Sequence, residues 1–295
     1  MIRRALIALL IASLLLPASA VAESNGWQIL LGGDDANTPR MPSGVAVDPA
    51  GRIYVVDTGG SRLEQLSPSG RLLNTIGRLG TGDDGLRRPR GIALDPQGTI
   101  FVADTANHRV QRFSAQGEPL GPWGSIGSDP GEFILPTSLA FDSQGNLYVA
   151  DTGNHRIQKF GPGPDGRPLA QWSGVHFPHG IAVDAQDAVY VSDSTGLRKF
   201  TQNGELLADW TSAGQFGDPY GLAIDAAGTL YVADTDNGRI ASVSPTGEVQ
   251  ASWGSEGKAI GQLKYPEAVA VDNQGVLYVA DRGNDRVQTF TPPGR

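Results

Sequence analysis

The 295-residue chain contains no cysteine. Disulfides, thiolate metal sites, cysteine nucleophiles and lipidation of an N-terminal cysteine are therefore excluded together. Histidine is scarce (4 residues) and aromatics reach only 7%, so a site built from several imidazoles has little to draw on. Positive charge is also in deficit, with 23 Lys and Arg against 31 Asp and Glu for a net charge of -8. Residues 1–20 carry Arg3 and Arg4 and no acid, so the remainder sits near -10 (-8 less +2). Such a surface repels phosphate backbones, which argues against nucleic acid as a partner.

The chain has one long apolar run, Ala5 to Leu16. Its 12 residues are too few for a membrane span. It follows Arg3-Arg4 and is broken by Pro17, after which Ala18-Ser19-Ala20 and Ala20-Val21-Ala22 offer small-x-small cleavage sites. This is the pattern of a secretion signal over residues 1–20, cleaved after Ala20 or Ala22. The mature chain is expected to lie in the periplasm or outside the cell, as a monomer with no transmembrane segment.

Turn-forming residues are plentiful: 40 Gly and 20 Pro, at regular places. Six segments open with Pro and a small residue two places on, at Pro42, Pro89, Pro136, Pro178, Pro219 and Pro266. Each continues as an alternating apolar run to an Asp: Asp48, Asp95, Asp142, Asp184, Asp225 and Asp272. A Gly turn and a second apolar run follow, closed by Asp57, Asp104, Asp151, Asp193, Asp234 and Asp281. A third run ends at Leu66, Phe113, Phe160, Phe200, Val243 and Phe290, and a fourth often carries Trp. Four short strands joined by hairpin-length turns, in units of about 45 residues, predict propeller blades. The sixth repeat lacks its fourth strand, whereas Trp27 to Leu31 precedes the first repeat and has that character. The fold expected for residues 21–295 is one all-β domain. It is a six-bladed β-propeller of four-stranded antiparallel blades, closed by the N-terminal strand completing the last blade.

The pattern Pro-x-Gly-Ile-Ala-Val-Asp…Leu-Tyr-Val-Ala-Asp-Thr-x-Asn-x-Arg resembles the NHL-repeat family. Asn107-His108-Arg109, Asn154-His155-Arg156, Asn237-Gly238-Arg239 and Asn284-Asp285-Arg286 carry its Asn-x-Arg part. The resemblance implies a six-bladed propeller but no single activity. Relatives include protein-binding modules, RNA-binding modules and a zinc-dependent lyase. That lyase implies three His ligands from three blades, and only His179 stands at such a position here. No metal site, cofactor or catalytic residue is assigned.

The second-strand Asp residues recur in every blade, which marks them as structural. They are expected to cap turns and pair with the Arg five places later. The residue after each leading Pro varies instead: Ser43, Arg90, Thr137, His179, Tyr220 and Glu267. As starts of the innermost strands these should ring one mouth of the central channel, where a ligand site belongs. Repeat 4 departs from the pattern. It has Asp187 in place of the turn Gly, a second hairpin two residues short, and a short connection into the blade from Trp172 to Pro178. Aligning Leu197 with Ile157 puts Gly196 at the Arg position. Asp193 then has no Arg partner and faces His179, below a notch over blade 4. The candidate ligand residues are Arg90, His179, Asp193, Tyr220 and Glu267. The expected function is a non-catalytic scaffold for a protein, peptide or glycan on the loop face. The connections Gly77 to Arg88, Ser125 to Leu135 and Ser255 to Tyr265 would supply much of that surface. The alternative is a metal-dependent propeller enzyme of lyase or lactonase type, acting at the channel mouth.

Overall fold

A computed structural model describes residues 26–32, 38–211 and 214–293. The proposed secretion signal and both cleavage sites lie outside these residues. Six antiparallel blades surround one axis. Blade 3 shows the plan in full, with strands Pro136–Phe141, Leu147–Asp151, Arg156–Phe160 and Pro168–Trp172 running from the axis outward. Blade 2 has three strands, and bridges from Phe113 to Pro119 and from Val110 to Trp123 take the place of the fourth. Among the described residues there is no α-helix, and no helix is long and apolar enough to cross a membrane.

Each hairpin is set by local chemistry. The Asp closing each first strand turns its carboxylate onto the backbone N–H groups two and four residues later, as Asp95 does with Gln97 and Thr99. This is an Asx-type turn, and it recurs in all six blades. In blade 4 Asp187 occupies the left-handed position with φ 61°, which Asp tolerates, and its carboxylate reaches Ser143 of blade 3.

The blades hide their apolar faces against one another. Six buried clusters fill the gaps between neighbours. One of them joins Val45 and Val55 of blade 1 to Tyr278 and Val287 of blade 6, so the ring is closed. Closure also comes from strand pairing between the two ends of the ring. Strand Gln28–Gly32 pairs with Arg286–Phe290 as the outer strand of blade 6, and Trp27 stacks on Phe290 at 4.7 Å. Between blades, the hydroxyls of Thr58, Thr105, Thr152 and Thr235 donate to the carbonyls of Pro89, Pro136, Pro178 and Pro266 in the next blade, each at 2.7 Å.

Candidate functional site

The second-strand aspartates are buried at or near zero exposure and serve the fold. In each blade the carboxylate accepts the backbone N–H of the residue 17 places earlier, in the incoming connection. In five blades it also pairs with the Nε of the Arg that opens the third strand: Arg62, Arg109, Arg156, Arg239 and Arg286. Three of these guanidinium groups go on to bind the carbonyls of the long connections, Arg156 taking those of Ser128, Asp129 and Glu132. Arg109 and Arg286 hold the connections before blades 2 and 6 in the same way. The connections expected to supply much of the loop-face surface are therefore clamped through their backbone carbonyls.

Blade 4 corrects the expectation for Asp193. The carboxylate is not bereft of arginine, because Arg198 Nη1 donates to it. It also accepts from the N–H of His176 and from the N–H and hydroxyl of Thr195. The reason is strand periodicity. In blades 3 and 6 the residue two places beyond the Arg is Gln158 or Gln288, on the same face, and its amide already touches the aspartate. With Gly196 at the Arg place, Arg198 occupies the Gln place and is long enough to supply the charge itself. His179 does not meet Asp193; its side chain turns to Asp218 and Tyr220 instead. Asp193 is accordingly a structural residue away from the channel wall.

The six residues after the leading prolines all line one narrow cavity of about 80 Å³ on the axis. They are not equivalent. The hydroxyl of Ser43 bonds that of Thr58, and Thr137 bonds Thr152 at 2.7 Å and the carbonyls of Pro178 and His179. These two are consumed by blade-to-blade contacts. Arg90, His179, Tyr220 and Glu267 remain, and they converge. His179 stacks on Tyr220 at 3.9 Å with 9° between the planes. Its Nε2 lies 3.5 Å from Asp218, and its Nδ1 is buried with no hydrogen-bond partner among the described residues. Glu267 is only 7% exposed and stands between Arg282 at 3.2 Å and Arg90 at 3.8 Å. Burial pushes its carboxyl above the ordinary range, against the opposing pull of Arg90, Arg282 and His179. Burial likewise raises the Tyr220 phenol, with Arg90 opposing. Arg282 occurs where four other blades have the bridging Thr, and so joins this group. Among the described residues no three His, Asp or Glu are placed to hold a metal ion.

A second ring was not legible in the sequence. The residue before each leading Pro (Met41, Arg88, Leu135, Phe177, Asp218 and Tyr265) is left-handed, with φ between 47° and 51°. For non-glycine residues this backbone costs about 1–2 kcal/mol each. At three of the six the previous blade supplies a close acceptor for the backbone N–H. Asp285 accepts the N–H of Met41 at 2.7 Å, His108 Nδ1 that of Leu135 at 3.1 Å, and His155 Nδ1 that of Phe177 at 3.2 Å. The variable residue of Asn-x-Arg thus positions the next blade's rim. Four of the six rim side chains are large apolar groups, 37–51% exposed: Met41, Leu135, Phe177 and Tyr265. Inside the rim lies a pocket of about 300 Å³, walled by Leu135, Ala106, Arg88, Arg90, His179 and Tyr220 among others.

Comparison with known proteins agrees with this geometry. The NHL repeat family matches residues 40–66, 86–113, 133–160, 216–241 and 263–290. No curated protein sequence matches. Among solved structures, a streptogramin B lyase is similar with a TM-score of 0.66 at 14% identity, covering 89% of this chain and 96% of that one. A catalytically inactive virginiamycin B lyase from Staphylococcus aureus with quinupristin gives 0.63 at 13% identity, covering 91% and 89%. A gluconolactonase from Xanthomonas campestris gives 0.70 at 16% identity, covering 90% and 89%. At these identities the likeness is one of fold.

Proposed function

Because this chain is a six-bladed β-propeller built of NHL repeats, a scaffold on which the mouth and not the fold decides activity, we propose that it is an exported binding protein that takes a peptide segment at its axial mouth. The rim carries the reading. Six left-handed residues stand at one mouth, four of them with large, apolar and exposed side chains, and two of the six, Arg88 and Leu135, line the pocket inside it. A rigid ring with apolar contacts above a small polar floor suits a peptide side chain entering the pocket. Aliphatic Met41 and Leu135 favour a peptide over a glycan, whose hydroxyls need a more polar wall. The apolar segment Ala5 to Leu16, with the arginines before it and the candidate cleavage sites after it, supports export to the periplasm or beyond.

The test is affinity selection by the mature chain from a soluble random peptide library, read by mass spectrometry. Enriched peptides are expected, and Leu135→Ser or Phe177→Ser, both at exposed positions, should reduce the enrichment at least tenfold. Enrichment that ignores both changes would remove the mouth as the site. A second reading, an enzyme of lyase or lactonase type, is favoured by the similar structures and by the buried Glu267 between two arginines beside His179. Hydrolysis of gluconolactone, with and without added magnesium or calcium, distinguishes the two. Background rates are expected, and a rate abolished by Glu267→Gln would replace the binding reading.

A further inference from the structure

The chain is acidic overall, yet the pocket inside the rim is not. Its wall contains Arg88, Arg90 and His179, and no carboxylate. The acids of the mouth stand outside that wall and are engaged: Glu267 between Arg90 and Arg282, Asp218 with His179, and Asp285 with the N–H of Met41. Among the described residues no carboxylate lies within ion-pair distance of Arg88, which sits exposed on the rim. Its backbone N–H is directed at Ser61 of blade 1, and its φ of 47° fixes it in the ring. Arg90 is three-quarters buried, and its link to Glu267 is long at 3.8 Å. The buried Nδ1 of His179 adds a polar atom without a partner at the same wall. The rest of the wall is Leu135, Ala106, the Tyr220 ring, and threonines that donate to backbone carbonyls or to each other.

Two cationic side chains set in an apolar pocket, on a protein with a net charge of -8, specify an anion carried on an apolar body. Building on the peptide reading, we propose that the pocket takes the C-terminal end of a peptide. The terminal carboxylate lies against Arg88 and Arg90, and an apolar last side chain lies against Leu135, Ala106 and Tyr220. A pocket of about 300 Å³ is at the small end of ligand sites, which suits a single terminal residue better than a folded surface. The apolar rim at Met41, Phe177 and Tyr265 then meets the residues before it.

The test uses the same soluble library synthesised in two halves, one with free carboxyl ends and one amidated. The wild-type mature chain should enrich free-acid members at least tenfold over amidated ones, with apolar residues at the last position. The preference should fall to within about twofold in Arg88→Gln and in Arg88→Gln/Arg90→Gln, while rim-dependent enrichment of amidated peptides persists. Arg88→Gln lies on the exposed rim and keeps the test valid if the double variant fails to fold. Equal enrichment of the two halves would overturn the carboxylate while leaving the mouth as a peptide site. The same holds if the acid preference survives Arg88→Gln. Enrichment of neither half would overturn both.

Discussion

Arg198 shows how a single residue preserves a pairing that its local alignment has lost. Its guanidinium binds the buried Asp193 and also reaches Asp209. Removing one partner leaves the other charged and dry, a loss of about 3–5 kcal/mol. Arg198→Met should lower the stability of the mature chain by about that amount, read from urea unfolding, while Arg78→Met, whose side chain is 78% exposed, should change it by less than about 1 kcal/mol. Glu267 carries a pH signature. Its folded carboxyl binds a proton more tightly than its ordinary pKa of 4.5 allows, chiefly through burial. Between 4.5 and that raised value the native state holds the extra proton, so stability falls as pH rises through the window, and above it the full penalty is present. Glu267→Gln should therefore gain on the wild type from about pH 4.5 upward, and the two urea midpoints should converge below it. A variant offset by the same amount at every pH would contradict this. At this scale the sequence was legible where a residue type recurred. The aspartates and the five third-strand arginines were readable as structural partners because the aspartate recurs in every blade and the arginine in all but blade 4. Asp193 was misjudged because its partner is set by which face of a strand a side chain occupies, not by its place in a hairpin. The six mouth residues looked alike as a varied set. Only the positions of Thr58 and Thr152 in space reveal that Ser43 and Thr137 are already satisfied.

At the scale of the element, blade spacing depends on turns that have no side chain. Gly166, Gly204 and Gly247 lie in the outer hairpin turns of blades 3, 4 and 5, each against the indole of the preceding blade: Trp123, Trp172 and Trp210. At Gly204, with φ 90°, a Cβ would come within 2.6 Å of the Trp172 ring. Gly228 has a similar φ of 82° but nothing within 4 Å, so it separates backbone strain from the contact between blades. Gly228→Ala should cost about 1 kcal/mol, and Gly204→Ala about 2–3 kcal/mol, in urea unfolding. Equal losses would mean that the indole yields and the spacing does not depend on it. Strand limits were readable because apolar alternation and turn residues agree over each hairpin. The rim was not, because a residue before proline is ordinarily extended. At Met41, Leu135 and Phe177 the N–H is held by an acceptor in the previous blade, which no local pattern records.

For the whole molecule, ring closure rests on residues at opposite ends of the chain. Deleting residues 1–32 removes the outer strand of blade 6 along with the buried Trp27 and Leu31. Those two side chains alone account for about 3–6 kcal/mol, a large share of the roughly 5–15 kcal/mol that keeps a domain folded. The truncated chain should unfold at much lower urea and associate through the bare edge of Arg286–Phe290, seen as a rise in sedimentation coefficient. A monomer of unchanged stability would show that the ring closes without its clasp. Closure was foreseeable from a missing strand at one end and a spare one at the other. The charge contrast between the pocket and the rest of the surface needed the assembled ring, because Arg88, Arg90 and His179 come from two blades on different sides of it.

The handing of a rim residue to its neighbour's hydrogen bond, seen at Met41, Leu135 and Phe177, divides labour within the repeat. At those three positions the group that accepts the backbone N–H lies in the blade before, so the backbone there does not depend on which side chain is displayed. On the proposed reading, those letters of the mouth can be exchanged without rewriting the page that holds them.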